Sequence, residues 1–119
     1  MYEEEVLRGA KFLDRVDGIR WESKINLNTL NLCSTDLCIL GQIFGPIGSK
    51  DIYLRYYVFA KFNGFAIPGG TLTGLSLDDI RAKYSELTKQ WTREILRRRA
   101  AKAMQEAAII AAEKSVISW

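Results

Sequence analysis

The run Ser76-LDDIRAKYSELTKQWTREILRRRAAKAMQEAAIIAAEKSVIS-Trp119 contains neither glycine nor proline and reads as one long helix. It carries two apolar stripes on different faces. At 100° per residue, Leu77, Ile80, Tyr84, Leu87, Trp91 and Ile95 fall within an arc of about 80°, fit to lie on a globular core. Beyond Ile95 the same face meets Arg98, Lys102, Glu106 and Glu113. Leu96, Ala100, Ala103, Ala107 and Ile110 instead line up roughly 140° around the cylinder, and they are the expected partner-binding positions. The pattern predicts an all-α fold with a globular domain over 1–96 and a projecting helical extension over 97–119.

Charge supports the same division. Residues 1–75 hold eight Lys or Arg against eight Asp or Glu, and residues 76–119 hold nine against six, so the net charge of +3 sits on the last helix. Lys89, Arg93, Arg97, Arg98, Arg99 and Lys102 have only Glu94 as an acidic neighbour within that span. Such a band either meets phosphates, anionic lipid heads or an acidic protein, or keeps an exposed helix solvated. Alanine over 100–112 favours helix and lets two helices approach closely, but buries too little area to hold the segment on its own subunit. Self-association is the expected consequence, with a solvated, fraying tail as the alternative.

Upstream, Tyr2 to Asp14 reads as a helix with Val6, Ala10 and Leu13 on one side, Leu7 and Phe12 widening it, and Glu3 to Glu5 in the first turn, where the helix dipole favours anions. Asp17-Gly18 ends it. Trp21 and Ile25, one turn apart, can anchor a brief helix. Asn26, Asn28 and Asn31 favour turns, with Leu27, Leu30 and Leu32 as apolar pins between them. Ser34 reads as the N-cap of a helix to Phe44, stopped by Gly45-Pro46, with Leu37, Leu40, Ile43 and Phe44 buried. Ser49 then caps a helix from Lys50 to Phe62, ended by Asn63-Gly64. The competing reading is a short β-hairpin around 56–67, since Asn-Gly is a hairpin signal; apolar residues there do not alternate cleanly, which favours helix. Phe65 to Leu75, with Pro68, Gly69, Gly70 and Gly74, reads as a loop. Ser76 with Asp79 opens the long helix as a shortened capping box.

With 119 residues, 48% of them apolar, the chain has the size of one domain with its own core. No apolar run reaches the ~20 residues of a membrane span, and Met1-Tyr2-Glu3-Glu4-Glu5 is not a signal peptide, so a cytoplasmic location is expected. Catalysis is poorly provided for. There is no histidine, the Asp78-Asp79 and Glu3 to Glu5 acids lie at helix starts, and the glycines match no phosphate or dinucleotide loop. Cys33 and Cys38 are half of a tetrahedral zinc site at most; two reduced thiols are the simpler reading, so no metal and no cofactor is expected. Trp21, Trp91 and the tyrosines Tyr53, Tyr56 and Tyr57 invite a base-stacking reading beside the arginines, but core packing is the simpler account; adjacent Tyr56 and Tyr57 cannot both face inward on a helix, and the outward one is available to a partner.

The residues Trp21, Ile25, Leu27-Asn28-Thr29-Leu30-Asn31-Leu32, Cys33, Cys38, Leu40-Gly41-Gln42 and Gly45, with Gly64-Phe65, resemble a group of small uncharacterised proteins from actinobacteria and their phages. In that group a Trp-Trp…Ile segment precedes Leu-Asp-Thr-Leu-Asp-Leu, cysteines and Val-Leu-Gly-Gln; this chain has Arg20 for the first Trp and Asn28 and Asn31 for the aspartates. The resemblance implies a phage-borne or prophage-borne accessory protein in the host cytoplasm. The function expected is a non-enzymatic protein-binding module, forming a homo-oligomer or binding a host protein through the C-terminal helix. The alternative is nucleic-acid binding through Lys89 to Lys102. Neither a membrane nor a small-molecule substrate is expected.

Overall fold

In a computed structural model residues 2–18, 20–67 and 76–117 are described. They form α1 (Glu3–Val16), a short 3₁₀ helix (Trp21–Lys24), α2 (Ile39–Arg55), α3 (Tyr57–Phe62) and α4 (Leu77–Ile117). There is no strand among the described residues, so the hairpin alternative gives way to helix. The fold is all-α.

The core forms where α1, the 3₁₀ helix and the residues after α3 meet the first half of α4. Val6, Ala10 and Leu13 of α1 are buried, as are Trp21 and Ile25, Leu30 and Leu32, and Leu87, Trp91 and Ile95 of α4. Trp91 lies at the centre. Its ring stacks on Phe65 with centroids 5.4 Å apart and takes Trp21 edge-on at 6.0 Å. The indole N–H, which would be costly to bury unpaired, donates to the Gly64 carbonyl at 2.6 Å. That carbonyl is presented by a helix end: α3 stops at Asn63, Gly64 takes φ 73°, and the Phe65 N–H returns to the Ala60 carbonyl at 2.8 Å. Asn63-Gly64 is thus a C-cap. Tyr53 and Tyr57 donate to the Phe65 and Ile67 carbonyls, holding this segment from the other side, while Tyr56 faces outward. The expected loop residues Pro68, Gly69, Gly70 and Gly74 lie outside the described residues.

The middle of the chain corrects several expectations. Ser34 does accept hydrogen bonds from the Asp36 and Leu37 N–H groups, but these close a turn. The Asn31 N–H to Leu37 carbonyl bond ties that turn to the asparagine-rich segment, so the helix starts only at Ile39. Its cap is Cys38, whose sulfur accepts the Gly41 N–H at 3.2 Å. Gly45-Pro46 does stop the first helical stretch of α2, but a second begins at once across the kink. Gly45 leaves the helix at φ 83°, ψ 164°, and Pro46, which needs no N–H at a helix start, resumes it. Ser49 therefore lies inside a helix, buried, with its hydroxyl 3.3 Å from the Cys38 sulfur. The second break falls at Tyr56, φ −128°. Because the helix starts late, its buried apolar side chains are Cys38, Ile39 and Leu40; Ile43 is half-buried, and Leu37 and Phe44 are exposed. At the start of α4, Leu77 is likewise exposed, so the core stripe begins at Ile80.

Candidate interaction surfaces of the C-terminal helix

The start of α4 is set by a reciprocal cap: the Asp79 N–H donates to the Ser76 hydroxyl at 3.1 Å, and the Ser76 N–H to the Asp79 carboxylate at 3.4 Å. From there the helix crosses the core and continues past it. Of the residues expected to bind a partner, Leu96 is 52% and Ile110 51% exposed, and Ala100, Ala103 and Ala107 are exposed between them. Every side chain from Ala103 to Lys114 is exposed, Met104, Ile109 and Ile110 included.

The basic band divides into two sets. Lys89 pairs with Glu86, Arg93 donates to Gln90, and Arg97 reaches Glu94 at 2.7 and 3.1 Å, all on the outer surface of α4. Arg98, Arg99 and Lys102 turn inward. Arg98 grips the Asp14 carboxylate with bonds of 2.8 and 2.9 Å, donates to Glu94, and lies 5.6 Å over the Trp21 ring. Asp14 also accepts the Trp21 indole N–H at 2.8 Å, so one carboxylate ties α1, the 3₁₀ helix and α4 together. Arg99 donates to the Glu22 and Ile25 carbonyls at 2.7 Å each, which satisfies backbone groups at the end of the 3₁₀ helix. Lys102 is the counter-charge of the buried Glu22 carboxylate, which accepts no further hydrogen bond among the described residues. Burial raises the Glu94 pKa, but the hydrogen bonds from Arg97 and Arg98 outweigh it and hold the carboxyl below its ordinary value. The same pair raises Arg97.

The face that continues the apolar stripe beyond Ile95 is therefore an ionic seam against the same subunit as far as Lys102. Sequence spacing placed these cations on one face but left them with Glu94 alone. Their partners Asp14 and Glu22 come from 84 and 80 residues earlier, and no periodic signal joins them.

Cys33 and Cys38 are both free thiols, the first exposed and the second buried. Among the described residues no group of three or more His, Cys, Asp or Glu side chains could hold a metal ion. No helix among the described residues is long and apolar enough to cross a membrane. Comparison with known proteins finds no matching family, no matching curated sequence and no matching solved structure.

Proposed function

We propose that the chain is a non-enzymatic protein-binding module whose distal α4 pairs with the same segment of a second copy. The observation that carries this reading is the exposure of every side chain from Ala103 to Lys114, with Met104, Ile109 and Ile110 among them. Isolated surface apolar residues are ordinary, but Leu96, Ala100, Ala103, Ala107 and Ile110 share one exposed face of an unsupported helix, which makes it a contact surface. The pattern suits an antiparallel partner. With a two-fold axis at the level of Gln105, Ala100 lies opposite the second copy's Ile110, and Ala103 opposite its Ala107, so the small central pair lets the helices approach and each Ile110 meets an alanine. The globule leaves this face open, because the ionic seam of Arg98, Arg99 and Lys102 holds α4 by its other side. Resemblance to actinobacterial and phage proteins supports an accessory role in a host cytoplasm.

Light scattering on the full chain tests the reading. The expected mass is twice the 13.5 kDa of one chain, falling to one chain on deletion of residues 103–119 or in Ala103→Glu/Ile110→Glu. A full-length protein that stays monomeric up to its highest soluble concentration overturns self-pairing. Host-protein capture by that monomer through the same segment would support the other form of the module. Nucleic-acid binding by the band from Lys89 to Lys102 is the less supported reading, since Arg98, Arg99 and Lys102 are engaged inside the subunit.

A further inference from the structure

A cavity of about 460 Å³ opens between the outer face of α1 and the end of α3, lined by Arg8, Lys11, Asp14, Arg15, Phe62 and Asn63. Four features of its lining belong together. Arg8, Lys11 and Arg15 recur at i, i+3 and i+7, so α1 presents them along one strip. Lys11 and Arg15 have no acidic partner among the described residues. The single carboxylate in the lining, Asp14, is neutralised by the two bonds from Arg98. Arg8 is held in place: its Nε donates to the Phe62 carbonyl at 2.9 Å, and its guanidinium lies 4.0 Å over the Phe62 ring, with Glu5 a further 3.7 Å contact. Phe62, at 56% exposure, leaves the remainder of its ring to solvent.

We propose that this cavity binds single-stranded nucleic acid, with Lys11 and Arg15 on consecutive phosphates and a base stacked on the Phe62–Arg8 platform. The argument is one of charge and shape together. An open, electropositive concavity with an aromatic and guanidinium floor offers a strand both of its recognisable chemistries, the backbone charge and the π-face of a base. An acidic peptide would use the cations but leave the ring without a partner. Duplex DNA would keep its bases stacked away from Phe62. The site is independent of tail pairing, being on α1 and α3.

Fluorescence anisotropy with labelled oligothymidylate of roughly 12 nucleotides tests the proposal on the full chain. Each phosphate contact on a single strand contributes roughly 0.7 to the slope of log affinity against log salt. Lys11→Gln/Arg15→Gln is expected to shallow the slope by about 1.4 and to weaken binding about 25-fold at roughly 0.1 M salt. Phe62→Leu, which keeps an apolar side chain, is expected to weaken it about tenfold by removing the stacking surface. Lys50→Gln/Arg55→Gln on α2 removes the same charge elsewhere and is expected to leave affinity within about twofold. Lys11 and Arg15 are unpaired in the fold, so their loss leaves helix content unchanged by circular dichroism. Absence of binding by the full chain, an unchanged affinity in K11Q/R15Q, or equal binding of polyglutamate of the same charge would each overturn the assignment.

Discussion

At Gly9 the α1 backbone lies so close to the Asn63 carbonyl that a Cβ there would collide with it, and would also sit 2.9 Å from the Trp91 ring. Two effects oppose each other in Gly9→Ala. Helix propensity favours alanine by about 1 kcal/mol, whereas forcing a methyl against backbone in a packed core costs about 1–3 kcal/mol or more. Neither the Asn63 carbonyl nor Trp91, pinned by its bond to Gly64, can yield cheaply, so a net loss of about 2 kcal/mol is expected in urea unfolding. A nearby residue gives a pH signature. Tyr53 is half-buried against the core, with its hydroxyl donating to the Phe65 carbonyl at 2.6 Å. Burial above all, and then the Cys38 thiol beside it, pushes its pKa well above the ordinary tyrosine value of about 10. The folded state therefore keeps a proton that the unfolded state releases, and stability, full below pH 10, falls as pH rises beyond it. Spectrophotometric alkaline titration is expected to show Tyr53 ionising only together with loss of helical circular dichroism. Tyr53→Phe removes that coupling, at a cost of about 1 kcal/mol near neutrality.

Helix α2 was the least legible element, and Gly45 is the reason. Gly45-Pro46 is a sound stop signal in sequence, yet the same pair also restarts a helix, and only the packing of Cys38, Ile39 and Leu40 on the core decides between the two. By contrast, the amphipathic stripe of α1, the Ser76–Asp79 cap and the Trp91 stripe were readable, because each depends on residues within a few turns of one another. The backbone at Gly45 occupies a region that only glycine adopts readily. No atom lies within 4 Å of an added Cβ, so Gly45→Ala isolates conformational strain from crowding; a loss of about 2 kcal/mol is expected from thermal unfolding. The seam on α4 was legible only in half, as cations without partners. Lys102→Ala leaves the 2%-exposed Glu22 carboxylate without its counter-charge. Its expected cost is about 2 kcal/mol, less than for a fully buried pair because the Lys102 side chain is 38% exposed. Glu22→Leu/Lys102→Met, which removes both charges, is expected to recover most of that loss in the same urea titration.

A helix of 41 residues is about 61 Å long, close to the molecule's longest dimension of 68 Å and far beyond its 25 and 23 Å widths. Roughly its first two thirds are held by the core stripe and the ionic seam; from Ala103 onward the described side chains touch nothing that buries them. An isolated alanine-rich segment of this length is marginally helical in water, so its order in solution depends on what covers it. Hydrogen–deuterium exchange resolved by peptide distinguishes the cases. If distal α4 pairs with a second copy, amides of residues 104–117 gain protection as protein concentration rises, while those of residues 87–99, already held by the core, stay constant. Ala103→Glu/Ile110→Glu, placing charges on the pairing face, is expected to abolish the concentration dependence and return the distal amides to rapid exchange. The seam residues serve as an internal control, since the bonds of Arg98 and Arg99 lie within one subunit and do not change with its association. Protection over 104–117 that is already complete at the lowest concentration and survives both glutamates would mean that the rod is stable alone, and self-pairing would lose its physical motive.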